Sequence, residues 1–401
     1  MVNPFDQSPW WALASLLLLL ALSPLSRAAD FVLNENCPPG FELVDGRCEL
    51  RSLYQMYDSL EDAGVGGLKT GLPAFRDGFT PQQIDLGRYL FFDPVLSGDG
   101  TVSCASCHQP DRGFADGLGR GVGVSGHPLP RSAPTLWNVA FLQRFFWDAR
   151  ASSVEEQMLG PLYDEHEMAT SPEQLVRTLN GIDRYRDLFR QAWPQDFVQA
   201  DAEIRLDQIY SAIAAFELSL ISLNSRYDQY AHGYVDALTE PEKEGMNIFR
   251  SFVARCAECH TPPLFTNQQI AVIGTPEPEG MPFDAGAATP LAEPTLRGGF
   301  KVPSLRNIAL TAPYMHSGRF ETLREAAEFY TDGRGHAVPP GEELKIHWHI
   351  WEPDLSDDEL DRLVDFLKTL TDESFKPITP DQLPSGMEPV HDNLARKGVT
   401  P

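Results

Sequence analysis

Positive charge is scarce in this chain: 32 Lys and Arg face 57 Asp and Glu over 401 residues, a net charge of −25. So acidic a protein repels polyanions, which excludes nucleic acid and anionic membrane surfaces as partners and favours basic ones. Long apolar runs are equally rare. The stretch "WWALASLLLLLALSPLSRAAD" holds a run broken at Pro24, short of the ~20 residues a spanning helix needs. It reads as a secretory signal over residues 1–29, cleaved near Ala28 or Ala29. The region before it lacks Lys and Arg and contains Asp6, so an uncleaved anchor stays open. In either case the bulk of the chain leaves the cytoplasm, and once the signal is cleaved the mature chain has no stable membrane insertion. Long alternating strand patterns are also missing, which argues against an all-β fold.

Cysteine is used sparingly. Four of the six form "CASCH" (104–108) and "CAECH" (256–260), leaving Cys37 and Cys48 in the turn-rich "NCPPGFELVDGRCEL". In an oxidising compartment that pair reads as a disulfide, with two free thiols as the alternative. A thiol pair followed by His is the pattern for haem attachment: two thioethers form at the vinyl groups, and His108 or His260 reaches the iron from the same helical turn. Zinc is the rival, but the two motifs would have to merge into one four-thiolate site with both histidines idle.

The rest of the chain divides by texture. Residues 30–75 form an N-terminal extension with a helical-looking "LRSLYQMYDSLEDAG". From residue 76 onward apolar residues recur at helical spacing, as in "PEQLVRTLNGIDRYRDLFRQAW" and "LDQIYSAIAAFELSLISL". Residues 262–300 read as a long irregular loop, of a length that is usually functional, and a Pro-rich tail occupies 376–401. An internal repeat runs through this pattern at a constant offset of 169: "APTLWNVAF" matches "VPSLRNIAL", and "DARASSVEEQ" matches "SGRFETLREA". The expected fold is mainly α, with two tandem cytochrome c-like haem domains at 76–235 and 236–375 joined by long irregular loops. At the repeat offset Tyr330 corresponds to Pro161. A phenolate can ligate iron and a proline cannot, so the two irons are expected to differ.

The stretches "LSGDGTVSCASCHQPDRGFADG", "FFWDARASSVEEQMLGPL" and "FKVPSLRNIALTAPYMHSGRFETLREAAEFY" resemble the bacterial di-haem cytochrome c peroxidases and their relative MauG. The resemblance implies a periplasmic enzyme with two covalently bound haem c groups, one on Cys104 and Cys107, the other on Cys256 and Cys259. It makes the His108 haem the peroxidatic one, with Gln157, Pro161 and Glu167 around the peroxide, Glu167 moving its proton and Trp147 relaying charge between haems. At the second haem, ordinary members use Met opposite the His and MauG uses Tyr. The matching position is Tyr330, with Met315 in reserve. The His that plugs the first iron in ordinary members corresponds to Val124, although His127 lies nearby. A calcium ion between the haems is implied at Ser132, Thr311 and Pro313, where Ser132 replaces the family's Asn and weakens the site. "HWH" at 347–349 falls outside every family motif, so exposed or core histidines are its default, with contact at a haem edge as the alternative.

The function so implied is hydrogen peroxide reduction, with a MauG-like tilt: a high-valent haem pair that oxidises a side chain of a partner protein. The alternatives are a detoxifying peroxidase fed by a small cytochrome or copper protein, and a di-haem electron carrier without chemistry.

Overall fold

The computed structural model describes residues 31–51, 72–199, 201–331, 338 and 341–390. The expected N-terminal signal, most of the helical-looking segment of the extension and the end of the tail lie outside the described residues.

The extension begins with a hairpin, where the sequence suggested only a loop. β1 (Phe41–Val44) and β2 (Arg47–Leu50) pair antiparallel. Asp45 and Gly46 both take positive φ at the tip, which is what the Asp-Gly turn of a tight hairpin requires. Cys37 and Cys48 are joined in a disulfide, and Cys48 is buried.

Eleven helices form the scaffold among the described residues. α1 (Pro81–Phe92) starts at a capping box of Thr80 and Gln83, and α2 (Cys104–Cys107) is the single turn of the first CxxCH. α3 (Val154–Tyr163), α4 (Pro172–Asn180), α5 (Asp183–Ala192) and α6 (Leu206–Leu218) complete the first half. The predicted helical stretch at 172–193 is thus two helices, parted at Gly181. The second half contains α7 (Arg226–Ala231), α8 (Glu240–Arg250), α9 (Cys256–Cys259), α10 (Leu323–Glu328) and α11 (Asp357–Lys368). No described helix is long and apolar enough to cross a membrane.

Both halves are built on one helix crossing. α1 packs on α6 where Gly87 has no side chain; a Cβ there would lie 1.8 Å from the Ala212 carbonyl oxygen. α8 packs on α11 at Gly245, where a Cβ would lie 1.9 Å from the Arg362 carbonyl oxygen. Aromatic rings fill the space beneath each crossing: Phe91, Phe114 and Phe216 in the first half, Phe249, Phe265 and Phe366 in the second.

The offset of 169 seen in the sequence reappears in the backbone. α3 and α10 begin at matching positions, after Ser153 and Thr322, each of which accepts a hydrogen bond from the backbone of the repeat pair Glu156 and Glu325. The bridges Phe145–Ala151 and Tyr314–Phe320 match as well, as do Asn138 and Asn307, both left-handed and both anchored on Ser222. The long loop departs from expectation. It opens and closes on a small sheet of β3 (Ile270–Val272) and β4 (Gly299–Lys301), strands of three residues that are too short to leave a periodic signal.

One charge lies wholly inside this scaffold. Arg306 has 0% exposure and grips Asp228 through both terminal nitrogens, while its Nε donates to the Pro263 carbonyl at 2.8 Å. Replacing Arg306 with Leu leaves the Asp228 carboxylate buried and uncompensated, a loss of about 3–5 kcal/mol. Denaturant unfolding of the holoprotein is expected to show that loss, and Arg306→Leu combined with Asp228→Leu is expected to be more stable than the single variant.

Candidate active site

Each CxxCH places its groups in the same way. α2 and α9 are single turns, so each puts two thiols and the following His on one wall of a cavity. His108 Nδ1 lies 2.9 Å from the Phe114 carbonyl, and His260 Nδ1 lies 3.1 Å from the Phe265 carbonyl. A carbonyl only accepts, so Nδ1 holds the proton and Nε2 keeps its lone pair for a metal. Both imidazoles are held below their usual pKa by burial, His260 at about 4, so they stay neutral.

The four thiols divide between two cavities. Cys104 and Cys107 line the first, Cys256 and Cys259 the second. That separation removes the shared zinc site considered from sequence. Burial drives the Cys107 and Cys256 thiols up to about 12, so without a metal both are neutral thiols. Two neutral thiols beside a lone-pair imidazole, in a largely apolar cavity, fit a haem.

The first cavity gathers most of the predicted peroxidatic set. Gln157 and Pro161 stand one turn apart on α3, and Glu167 follows in the loop behind it; all three line the cavity with His108. Burial raises the Glu167 carboxyl to about 7, with Asp164 adding to the rise and Arg150 opposing it. The backbone around the site is constrained. Phe146 and Ala149 both have positive φ, and Phe146 lies so close to Gly160 that a Cβ there would come within 2.9 Å of the ring.

The loop that could carry a plugging residue borders this cavity through Val122, Gly123 and Leu129. Val124 N–H donates to the Glu167 carbonyl at 2.8 Å, and His127 is exposed, stacked on His166 with ring centroids 4.1 Å apart. Neither lines the cavity.

Trp147 belongs to both cavities, as do Ser132, Lys301 and Pro303. Its indole N–H donates to the Ser132 carbonyl at 3.0 Å, and its own carbonyl accepts from Lys301 N–H at 2.7 Å. The second cavity is lined by Tyr330 and also by Met315, so both candidate ligands reach it. Burial, with the Cys256 and Cys259 thiols, pushes the Tyr330 phenol well above its usual pKa. Ser132, Thr311 and Pro313 come together at this cavity too, where the Ser132 hydroxyl donates to the Met315 carbonyl at 3.0 Å.

Two lining groups, Glu217 and Lys301, escaped the sequence reading, and a third, His349, takes the alternative left open for "HWH". Glu217, 7% exposed, turns from α6 into the first cavity, and burial raises it to about 8. An acid within the apolar run "AIAAFELSL" was the available signal. Lys301 on β4 sits in the shared wall, held down to about 8 by burial. His349 lines the second cavity and pairs with Glu258 of CAECH at 2.9 Å.

Comparison with known proteins agrees with this geometry. The family model for di-haem cytochrome c peroxidases matches residues 81–236. Among curated relatives, the methylamine utilization protein MauG of Methylorubrum extorquens is 35% identical over 76% of this chain and 82% of its own length. The cytochrome c551 peroxidase of Nitrosomonas europaea is 35% identical over 75% of this chain and 85% of its own. Among solved structures, a MauG-like protein associated with microbial copper homeostasis superposes with a TM-score of 0.70 at 32% identity, covering 79% of this chain and 99% of that one. The di-haem peroxidase BthA of Burkholderia thailandensis gives 0.61 at 27% identity, covering 90% of this chain and 99% of that one. With two CxxCH cavities and relatives of this kind, the chain belongs to the di-haem cytochrome c peroxidase family and is an oxidoreductase acting on hydrogen peroxide.

Proposed function

We propose that the chain is a periplasmic, MauG-like member of the family, built as tandem haem domains at 76–235 and 236–375. It reduces hydrogen peroxide at the His108 cavity and draws the two electrons from a side chain of a partner protein. The observation that carries this reading is the contrast at one repeat position: Pro161 faces the first cavity, Tyr330 the second. Pro161 offers no ligand, so a haem in the first cavity would stay accessible to peroxide, while Tyr330 would offer a phenolate to a haem in the second and lower its potential. Haem c, held by thioethers at Cys104, Cys107, Cys256 and Cys259 and by His108 and His260, supplies the redox chemistry. The residues around it supply the proton chemistry.

Peroxide reduction consumes two protons and two electrons and yields two waters. Glu167, deprotonated, would take a proton from peroxide held in the first cavity and return it to the departing oxygen as the O–O bond breaks. Gln157 donates a hydrogen bond to hold the peroxide, and Trp147 carries electrons across the shared wall. Calcium at Ser132, Thr311 and Pro313 is a weaker part of the reading, because the Ser132 hydroxyl is already engaged with Met315.

A second reading, detoxification with electrons from a small cytochrome or copper protein, is favoured by the presence of Met315 in the second cavity. The two separate on rapid mixing of the fully oxidised holoprotein with one equivalent of peroxide. A prompt, long-lived change in the haem spectrum without prior reduction is expected. Silence until one haem is reduced would instead identify an ordinary peroxidase.

The proton role has its own test. Glu167 is raised to about 7, so its accepting form is lost as the pH falls through that value, and the rate of the peroxide reaction is expected to fall with it. Glu167→Gln is expected to slow the reaction by about 10²–10⁴ and to abolish the pH step, read by stopped-flow absorbance at a series of pH values.

A further inference from the structure

Glu167 moves a proton that peroxide already carries, from one oxygen to the other. The two protons that the reaction consumes must come from elsewhere, and they are needed at an oxygen inside the first cavity. Glu217 is the other carboxyl lining that cavity among the described residues.

Glu217 stands in the last turn of α6, one turn after Ile213 on the face that lines the cavity, while Phe216 beside it packs on Phe91 in the aromatic core. The other acids buried as deeply, Asp85, Asp93, Asp116, Asp148, Asp228 and Asp372, each accept a hydrogen bond. Among the described residues the Glu217 carboxyl accepts none. Burying an acid without a partner costs stability and favours its neutral form, and Glu155 adds to the rise to about 8, so near pH 7 Glu217 keeps its proton. The ionisable groups that reach it are Glu155 from α3 and the Cys104 thiol from α2, with Arg150 and Glu167 in the same lining. On α1, Asp85 and Arg88 are closed on each other at 2.8 Å. Glu155 pairs with Arg76 at 2.6 Å, and its side chain is 27% exposed. A buried carboxyl beside a half-buried one, on two packed helices, gives a proton a way in from water.

We propose that Glu217 is the proton donor for the second half of peroxide reduction: it protonates the oxygen left in the first cavity after O–O cleavage and is reloaded from solvent past Glu155. The assignment rests on peroxide being reduced at the His108 cavity, as in the function proposed above. Cleavage releases one oxygen as water. The other oxygen takes two electrons, drawn from the partner's side chain, and two protons, passed one at a time by Glu217, and leaves as the second water. After each transfer Glu217 is a carboxylate and must be protonated again before the next. The two carboxyls thus act in opposite states, Glu167 ionised for cleavage and Glu217 neutral for completion.

The test uses the holoprotein in two mixing steps. One equivalent of peroxide is added first, to the oxidised protein or to the half-reduced protein if that form alone reacts, and the change in the haem spectrum reports cleavage. Excess hexaammineruthenium(II), a one-electron reductant whose potential does not depend on pH, is added next, and decay of the changed spectrum reports the second half. In the wild type that decay is expected to slow as the pH rises through about 8, where Glu217 loses its proton. Glu217→Gln is expected to slow the decay by about 10²-fold or more and to remove the pH step, with no matching change in the first phase. Glu217→Asp, which keeps an ionisable proton, is expected to recover part of the rate and the pH step. Wild-type decay in Glu217→Gln would overturn the donor, and equal slowing of both phases would overturn it by making the residue structural. A wild-type decay that stays flat across about pH 6.5–9 would also overturn it, and that measurement decides even if the variant takes up no haem. A wild type silent to peroxide in both oxidation states would overturn the peroxide reading and the donor with it, whereas a normal first phase followed by a decay indifferent to Glu217 overturns the donor alone.

Discussion

The structure turns on a few hydrogen bonds that cross from one repeat to the other. Trp147 receives the Lys301 N–H on its carbonyl and sends its own indole N–H to the Ser132 carbonyl. Ser132 in turn donates its N–H to the His316 carbonyl and its hydroxyl to the Met315 carbonyl. These bonds make the residues just before α3 and the loop before α10 into one wall, so the two cavities cannot shift independently. Arg131 reinforces it by pairing at once with Asp148 and Asp284, both at 2.7 Å. A wall of main-chain bonds and a bidentate cation is rigid, and rigidity is what fixed electron-transfer geometry needs.

Duplication explains why such a wall exists. The two repeats use the same parts: a glycine helix crossing, a single-turn CxxCH, a Phe with positive φ whose carbonyl orients the His, and a left-handed Asn. The differences lie beneath the cavities as well as at them. Where the first repeat has Trp137 against Phe114, the second has Arg306 over Phe265, and with Arg306 comes the buried pair to Asp228. Where the first has Pro161 within a helix, the second ends its helix at Glu328 and brings Tyr330 to the cavity. One scaffold thus holds two unlike sites.

Much of this was legible in the chain because it is written in local chemistry. CxxCH, the constant offset and the helical apolar period each survive without tertiary context, and the contrast of Pro161 with Tyr330 follows from the offset alone. The hairpin at 41–50 was missed although Asp-Gly announced it, because the Pro-rich flank of Cys37 drew attention to a loop. β3 and β4 left no trace, since strands of three residues are stabilised by the wall they join and not by their own pattern. Glu217 and Lys301 were invisible for a related reason: an acid on an apolar helix or a lysine in a motif shows its residue type, but only packing shows that it faces a cavity.

Those two residues, with Glu167, also show how the cavities are poised. Burial raises Glu167 to about 7 and Glu217 to about 8, and lowers Lys301 to about 8, so each stands close to its titration point at ordinary pH. Groups in that condition respond to any charge placed beside them. A cofactor carrying a charged iron and anionic edges would set all three at once, the carboxyls as proton carriers in the first cavity and the ammonium as a counter-charge in the shared wall. Elsewhere among the described residues carboxylates stand in water or, like Asp228 with Arg306, in a buried ion pair. Charge is thus left to solvent or to a fixed partner, and the groups that can exchange a proton near ordinary pH are those lining the cavities.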